Sequence, residues 1–151
     1  MHTVAMIRLG VPADLPAVTE VYRRASLSNA GDRDNLLAHP EFLKLGPEGL
    51  AGGRTYVAEE NGAVVGFGTW ARAGGTTDLE DLFVDPDWRR CGVATALLSR
   101  IVDVLRAQGV AYLEVTANPH AQDFYSAAGF TGCGMAETDS GAVPRMRLAI
   151  H

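Results

Sequence analysis

Cysteine is scarce in this chain. Cys91 and Cys133 are the only two, and neither belongs to a C-x-x-C pair or has a histidine at metal-ligand spacing. This predicts no disulfide framework and no metal site, and makes the reducing cytoplasm the expected compartment. Long apolar runs are lacking too. No stretch approaches the roughly 18 apolar residues of a membrane span, and the opening MHTVAMIRLG has no extended apolar centre or cleavage-site pattern. No membrane contact and no targeting segment are therefore expected. Positive charge is in the minority, with 13 Lys+Arg against 18 Asp+Glu and a formal net charge of −5. That balance argues against a nucleic-acid-binding surface and weakly favours a cationic or amine substrate. Internal repeats, low-complexity tracts and dividing linkers are also absent, so residues 1–151 are expected to form one domain.

What is present suits a globular core: 151 residues, 47% of them hydrophobic and 21% charged. Val4 to Leu9 reads as a short edge strand. Pro12-Ala13-Asp14 opens a helix through about Ser28, with Leu15, Val18, Val21, Tyr22 and Ala25 on its buried face. A polar loop from Ser28 to Asn35 precedes a short helix over Leu36–Leu45, interrupted near Pro40. Arg54–Glu59 and Ala63–Trp70 are strands joined at Asn61-Gly62, a strong hairpin signal. Gly66 and Gly68 in the second of them suggest a close approach by another backbone or a bend. Ala71–Thr77 reads as a flexible connection to a third strand, Leu79–Val84.

A helix from about Gly92 to Gln108 follows, with Val93, Ala96, Leu97, Ile101, Val104 and Leu105 as its core stripe and Gly109 as its terminator. Ala111–Val115 is a strand which, reached through a helix, lies parallel to Leu79–Val84. Pro119–Ala128 reads as a helix capped by Asn118 and ended by Gly129. Thr131–Glu137 and Val143–Ile150 are the last strands, joined by a turn over Thr138–Ala142.

The chain is organised around LEDLFVDPDWRRCGVATALL, Leu79 to Leu98. Asp85-Pro86-Asp87 stops the strand, because proline lacks the N–H that a central ladder needs. A glycine-bearing turn into a helix then leaves several backbone N–H groups unpaired and pointing one way. With the helix dipole, those groups favour an anion, above all a phosphate, and Arg89 and Arg90 add formal charge. The R-x-x-G-x-A pattern of Arg89, Gly92 and Ala94 resembles the acyl-CoA pyrophosphate loop of the GNAT (GCN5-related) N-acetyltransferases. A second feature of that family lies downstream, beyond an intervening strand: Asn118, Phe124-Tyr125 and Gly129-Phe130 in NPHAQDFYSAAGF. The resemblance spans Leu79 to Phe130.

The resemblance implies an α/β fold: a central mixed, mostly antiparallel sheet of about six or seven strands with helices on both faces and a splayed parallel strand pair. It implies acetyl-CoA as acyl-donor substrate and no metal. Arg89, Arg90, Cys91, Gly92, Val93, Ala94 and Thr95 would cradle the pyrophosphate. Backbone N–H groups at Leu82, Phe83 and Val84, exposed by a bulge, would hold the pantetheine and the thioester carbonyl. Asn118 and Tyr125 would also contact the cofactor, and Phe124 would pack against the cofactor or the core.

Tyr125 would protonate the departing thiolate, whose basicity is close to that of a phenol with pKa about 10. For the base, strand alternation puts Asp78, Glu80 and Leu82 on one face, which in the resembled family often looks into the acceptor site. That makes Glu80 the first choice and Asp78 the second, with Glu114 third by its resemblance to a catalytic carboxylate on that strand in some relatives, against a plain role in solubility or ion pairing. In the resembled family the region after the first helix closes over the acceptor, which makes Asp32, Arg33, His39 and Glu41 candidates for acceptor specificity, against a plain solvated loop and packed helix. His120 faces the site or is a surface residue, and Cys91 is a spacer whose N–H matters. The implied reaction is direct transfer of acetyl to a primary amine of a small molecule or peptide within a ternary complex. The alternative is a non-catalytic acyl-CoA-binding sensor or partner module. Pairing of the C-terminal strands leaves a homodimer open.

Overall fold

Residues 6–29, 33–119, 121–138 and 141–150 are described in a computed structural model of the chain. Seven strands form one sheet: β1 (Met6–Leu9), β2 (Thr55–Glu60), β3 (Ala63–Ala73), β4 (Thr76–Val84), β5 (Tyr112–Thr116), β6 (Thr131–Thr138) and β7 (Gly141–Ala149), in the order β1-β2-β3-β4-β5-β7-β6. The helices are α1 (Leu15–Leu27), α2 (Arg33–Ala38), α3 (Glu48–Ala51), α4 (Val93–Ala107) and α5 (Gln122–Ala127). β1 and β2, β2 and β3, β5 and β7, and β6 and β7 pair antiparallel. β4 and β5 are parallel, with Asp78 opposite Glu114, as the helical crossover between them requires. The expected α/β fold and its parallel pair are therefore present.

The hairpins turn where left-handed backbone is affordable. Asn61 (φ 52°) and Gly62 (φ 81°) join β2 to β3, as Asn-Gly predicts. The expected flexible connection over 71–77 is instead a second tight turn. β3 runs on to Ala73, Gly74 (φ 59°) and Gly75 (φ 86°) make the corner, and β4 starts at Thr76. Pro12–Asp14 forms a 3-10 turn before α1 proper. Asp14 accepts the Val11 N–H (2.8 Å) and both Nη atoms of Arg8 (2.9 and 3.0 Å). Gly109 (φ 79°) ends α4 as expected, while Val110 N–H reaches back to the Leu105 carbonyl at 3.0 Å.

Three expectations need correction. The helix expected over Leu36–Leu45 is α2, from Arg33, followed by a 3-10 turn over Pro40–Leu43. A further short helix, α3, was not expected at all; it buries Leu50. Asn118 does not cap α5. The Asn118 carbonyl accepts the Ala121 N–H (3.0 Å), and Ala121 is the N-cap. Pro119 therefore takes the second corner of a β-turn, which suits its fixed φ, and the helix starts three residues later. The start of the strand expected at Val4 lies partly outside the described residues.

By chain contacts the molecule divides into two compact units, Met1–Thr69 with Asp81–Arg100, and Trp70–Glu80 with Ile101–His151. In the first, Val18, Val21, Leu50, Val57 and Phe67 form one buried cluster, against which Tyr22 and Phe83 pack. Ala58, Val65, Val93 and Leu97 form another, joined by Leu82, Val84 and Cys91. Leu82 and Phe83 thus take opposite faces of β4, as alternation demands. Burying a side chain the size of Val57 or Phe67 contributes roughly 1.5–3 kcal/mol. In the second unit Leu79, Ile101, Leu105, Leu113, Val115, Phe130, Met146 and Ile150 are buried. No helix among the described residues is long and apolar enough to cross a membrane.

Candidate active site

In the first unit β4 ends where Asp85 donates its N–H to the Val65 carbonyl (2.8 Å). The Asp85 carboxylate accepts the Asp87 N–H at 2.9 Å, capping the short 3-10 turn Pro86–Trp88. The chain then passes through two left-handed residues, Arg90 (φ 61°) and Gly92 (φ 80°), before α4 begins. That conformation suits Gly92 but strains an arginine. The Ala96 N–H is bonded to the Gly92 carbonyl (3.0 Å), so the amides of Val93, Ala94 and Thr95 lie ahead of the helix's own ladder, where an anion is favoured.

Arg89 and Arg90 are exposed beside them, and the Arg89 guanidinium donates to Ser28 Oγ. Cys91 is half-buried against the cluster that includes Val93 and Leu97. Gly66 is required by the same helix: a Cβ there would stand 2.9 Å from Val93 Cγ1 and 3.1 Å from the Phe83 carbonyl oxygen. The expected close approach is therefore real at Gly66.

One residue of this turn was not anticipated. Arg24, in the last turn of α1, binds Asp85 through Nε (3.1 Å) and Asp87 through Nη2 (3.0 Å). Nothing in the local pattern of Asp85-Pro86-Asp87 says that a helix 61 residues upstream supplies a cation to both carboxylates. Nearby, Tyr22 meets Phe83 edge-on (centroids 4.9 Å apart) and its hydroxyl donates to the Phe42 carbonyl. Burial, aided by the charge of Asp81, raises the Tyr22 pKa. Of the expected specificity residues, Arg33, His39 and Glu41 are exposed on and after α2, with His39 stacked on Phe42. Asp32 and His120 lie outside the described residues.

The second unit carries the acid–base candidates. Tyr125 is buried in α5, 6% exposed. Phe124 and Phe130 meet its ring edge-on at 5.3 and 5.2 Å, and its carbonyl accepts the Phe130 N–H. Asp78 and Glu114 face one another across the parallel pair and share one partner. Arg145 Nη2 is 3.0 Å from Asp78 Oδ1 and 3.0 Å from Glu114 Oε1, and its Nη1 reaches Asp78 Oδ2 (3.3 Å) and Thr116 Oγ1 (3.0 Å). Arg147 adds a longer contact to Glu114, 3.6 Å. The hydrogen bond to Asp78 is the main cause of the raised pKa of Arg145. Two of the three base candidates thus spend carboxylate oxygens on a guanidinium, while Glu80 is exposed. Among the described residues no cluster of His, Cys, Asp and Glu could hold a metal ion.

Residues 15–130 match the family model for the acetyltransferase (GNAT) family. The chain belongs to the GNAT acetyltransferase family. No curated protein matches it, but solved GNAT structures do. The ribosomal-protein-S18-alanine N-acetyltransferase of Escherichia coli is 25% identical, with a TM-score of 0.69 over 96% of this chain and 93% of that one. Ard1 of Thermoplasma volcanium is 25% identical, with a TM-score of 0.72 over 99% of both chains. The yncA protein of Salmonella typhimurium, solved with its cofactor acetyl-CoA, is 26% identical, with a TM-score of 0.72 over 99% of this chain and 95% of that one.

Within this GNAT chain, Arg145, like Arg24, is a residue of the candidate site that sequence reasoning missed. The alternating pattern of β7 identified the strand, but not that a residue 67 positions from Asp78 and 31 from Glu114 would grip both.

Proposed function

We propose that this GNAT chain transfers an acetyl group from acetyl-CoA to a primary amine of a small molecule or peptide, by direct attack within a ternary complex, and that residues 1–151 act as one domain. The observation that carries the reading is the turn into α4. Two left-handed residues, three amides ahead of the helical ladder and two exposed arginines make a cradle whose chemistry fits a pyrophosphate. Arg89, Arg90 and the backbone of Cys91 to Thr95 are assigned to it, and the backbone of Leu82, Phe83 and Val84 to the pantetheine and the thioester oxygen. Those amides would also stabilise the oxyanion that develops as the amine attacks.

Tyr125 is assigned as the acid, with Asn118 and Phe124 beside the cofactor. Its aromatic neighbours fix the ring, so the hydroxyl keeps one position from which to protonate the thiolate. Glu80 is assigned as the base. An exposed carboxylate can exchange a proton with an incoming ammonium, whereas Asp78 and Glu114 serve first to hold Arg145. No metal is assigned to the reaction.

A peptide beginning with alanine is the first acceptor to try, since one relative is named for an alanine of ribosomal protein S18. The experiment is thiol release from acetyl-CoA against that peptide and against pooled small amines. Release with any acceptor supports the enzyme. A chain that binds acetyl-CoA but releases nothing beyond the hydrolysis blank is the non-catalytic module instead, a reading that the engagement of Asp78 and Glu114 by Arg145 keeps in play.

A further inference from the structure

A cavity of about 630 Å³ opens in the second unit, between the β3–β4 corner at Gly74-Gly75 and the loop from α4 into β5. Its size falls within the usual range for small-molecule sites, about 300–1,000 Å³. None of the residues assigned above to the acyl donor lines it. In a chain of net charge −5, its charged wall is the reverse: Arg72 and Arg147 against the single carboxylate of Glu114. Glu114 is not free to neutralise both, because Arg145 holds it at 3.0 Å while Arg147 stands off at 3.6 Å.

Both cavity arginines are already ordered. Arg72 donates to Gln108 Oε1 (2.8 Å) and lies over the Trp70 ring, 5.7 Å from its centroid. Arg147 lies over the Tyr112 ring at 4.6 Å. A guanidinium held over an aromatic face retains N–H donors for a carboxylate beyond the one that Arg72 gives to Gln108 or Arg147 turns toward Glu114, and ordering it beforehand lowers the entropy lost on binding.

We propose that this cavity is a binding site for a small dicarboxylate, one carboxylate taken by Arg72 and the other by Arg147, separate from the acyl-donor site. Two charge-bearing forks on different strands, β3 and β7, call for two anionic groups in one ligand. The glycine corner is open on that side: a Cβ on Gly74 or Gly75 would meet nothing within 4 Å.

The test is isothermal titration of the whole chain, at matched ionic strength, with malonate, succinate, glutarate and adipate, and with acetate and inorganic phosphate as comparisons. At least one dicarboxylate is expected to bind about tenfold or more tightly than acetate, and Arg72→Gln and Arg147→Gln are each expected to weaken it by about tenfold or more. Circular dichroism and the ligand-free melting temperature report whether either variant has failed to fold; Arg72→Lys, which keeps the charge but loses the fork, gives a gentler second reading. The proposal is overturned if wild type binds no dicarboxylate, if acetate or phosphate binds as tightly, or if folded variants bind as wild type does.

Discussion

At the scale of single residues, chemistry depends on what each polar atom is already doing. Tyr125 is wedged between two phenylalanines, so Tyr125→Phe should preserve the fold and remove only the hydroxyl. The expected result is a fall in kcat of about 100-fold or more, typical of a lost general acid, with acetyl-CoA affinity within about twofold of wild type; unchanged turnover would remove Tyr125 from the mechanism. Tyr22 invites a different experiment. Its pKa is raised by burial and by Asp81, so the folded state holds the phenolic proton more tightly than the unfolded chain. That preference costs nothing below the unfolded value of about 10 and becomes a loss of stability as pH rises through the folded value. Urea unfolding between neutral and strongly alkaline pH should therefore show wild type losing more stability than Tyr22→Phe. At neutral pH the variant should be the weaker of the two, because it lacks the hydrogen bond to the Phe42 carbonyl. Parallel pH profiles would mean that Tyr22 does not titrate as its surroundings require.

At the scale of elements, the first turn of α4 sits against β3 through Gly66. Gly66→Val would press on Val93, Leu97 and the Phe83 carbonyl at once. It should cost roughly 1–3 kcal/mol, as overpacking does, seen as a melting temperature lowered by several degrees; a variant as stable as wild type would show that the helix is free to move outward. The same element shows what a sequence can disclose. The turn into α4 was legible because Arg89, Gly92 and Ala94 are neighbours in the chain, and so were the corner at Asn61-Gly62 and the stop at Gly109, each a local demand for positive φ. Gly74-Gly75 was misread because two glycines signal looseness as readily as a tight corner. The four residues of α3 are too few for any periodicity, and Pro119 served a turn where it could equally have opened a helix. Arg24 on Asp85 and Arg145 on Asp78 were out of reach, since charge pairing between distant strands and helices leaves no local pattern.

At the scale of the whole molecule, the cradle at α4 and the tyrosine of α5 predict one linked result. A ligand that binds only the folded chain raises its melting temperature by mass action, and at 100 times its Kd contributes about 2.7 kcal/mol. For a chain of 151 residues that corresponds to a rise of roughly 5–10 °C. Acetyl-CoA and free coenzyme A should both produce it, because they share the pyrophosphate and the pantetheine, and ATP should not, because phosphate contacts alone leave the Leu82–Val84 amides unused. Arg89→Ala combined with Gly92→Val should abolish the rise: the first removes a charge, and the second forces a β-branched residue into φ 80°. If both coenzyme A species stabilise wild type and not the double variant, thiol release with amine pools becomes the deciding measurement between enzyme and binding module. Equal stabilisation by ATP would reduce the turn to a general phosphate site. Its absence for every ligand would take away the cradle on which the assignment of Tyr125 as acid depends, because a proton donor without a bound thioester has nothing to protonate.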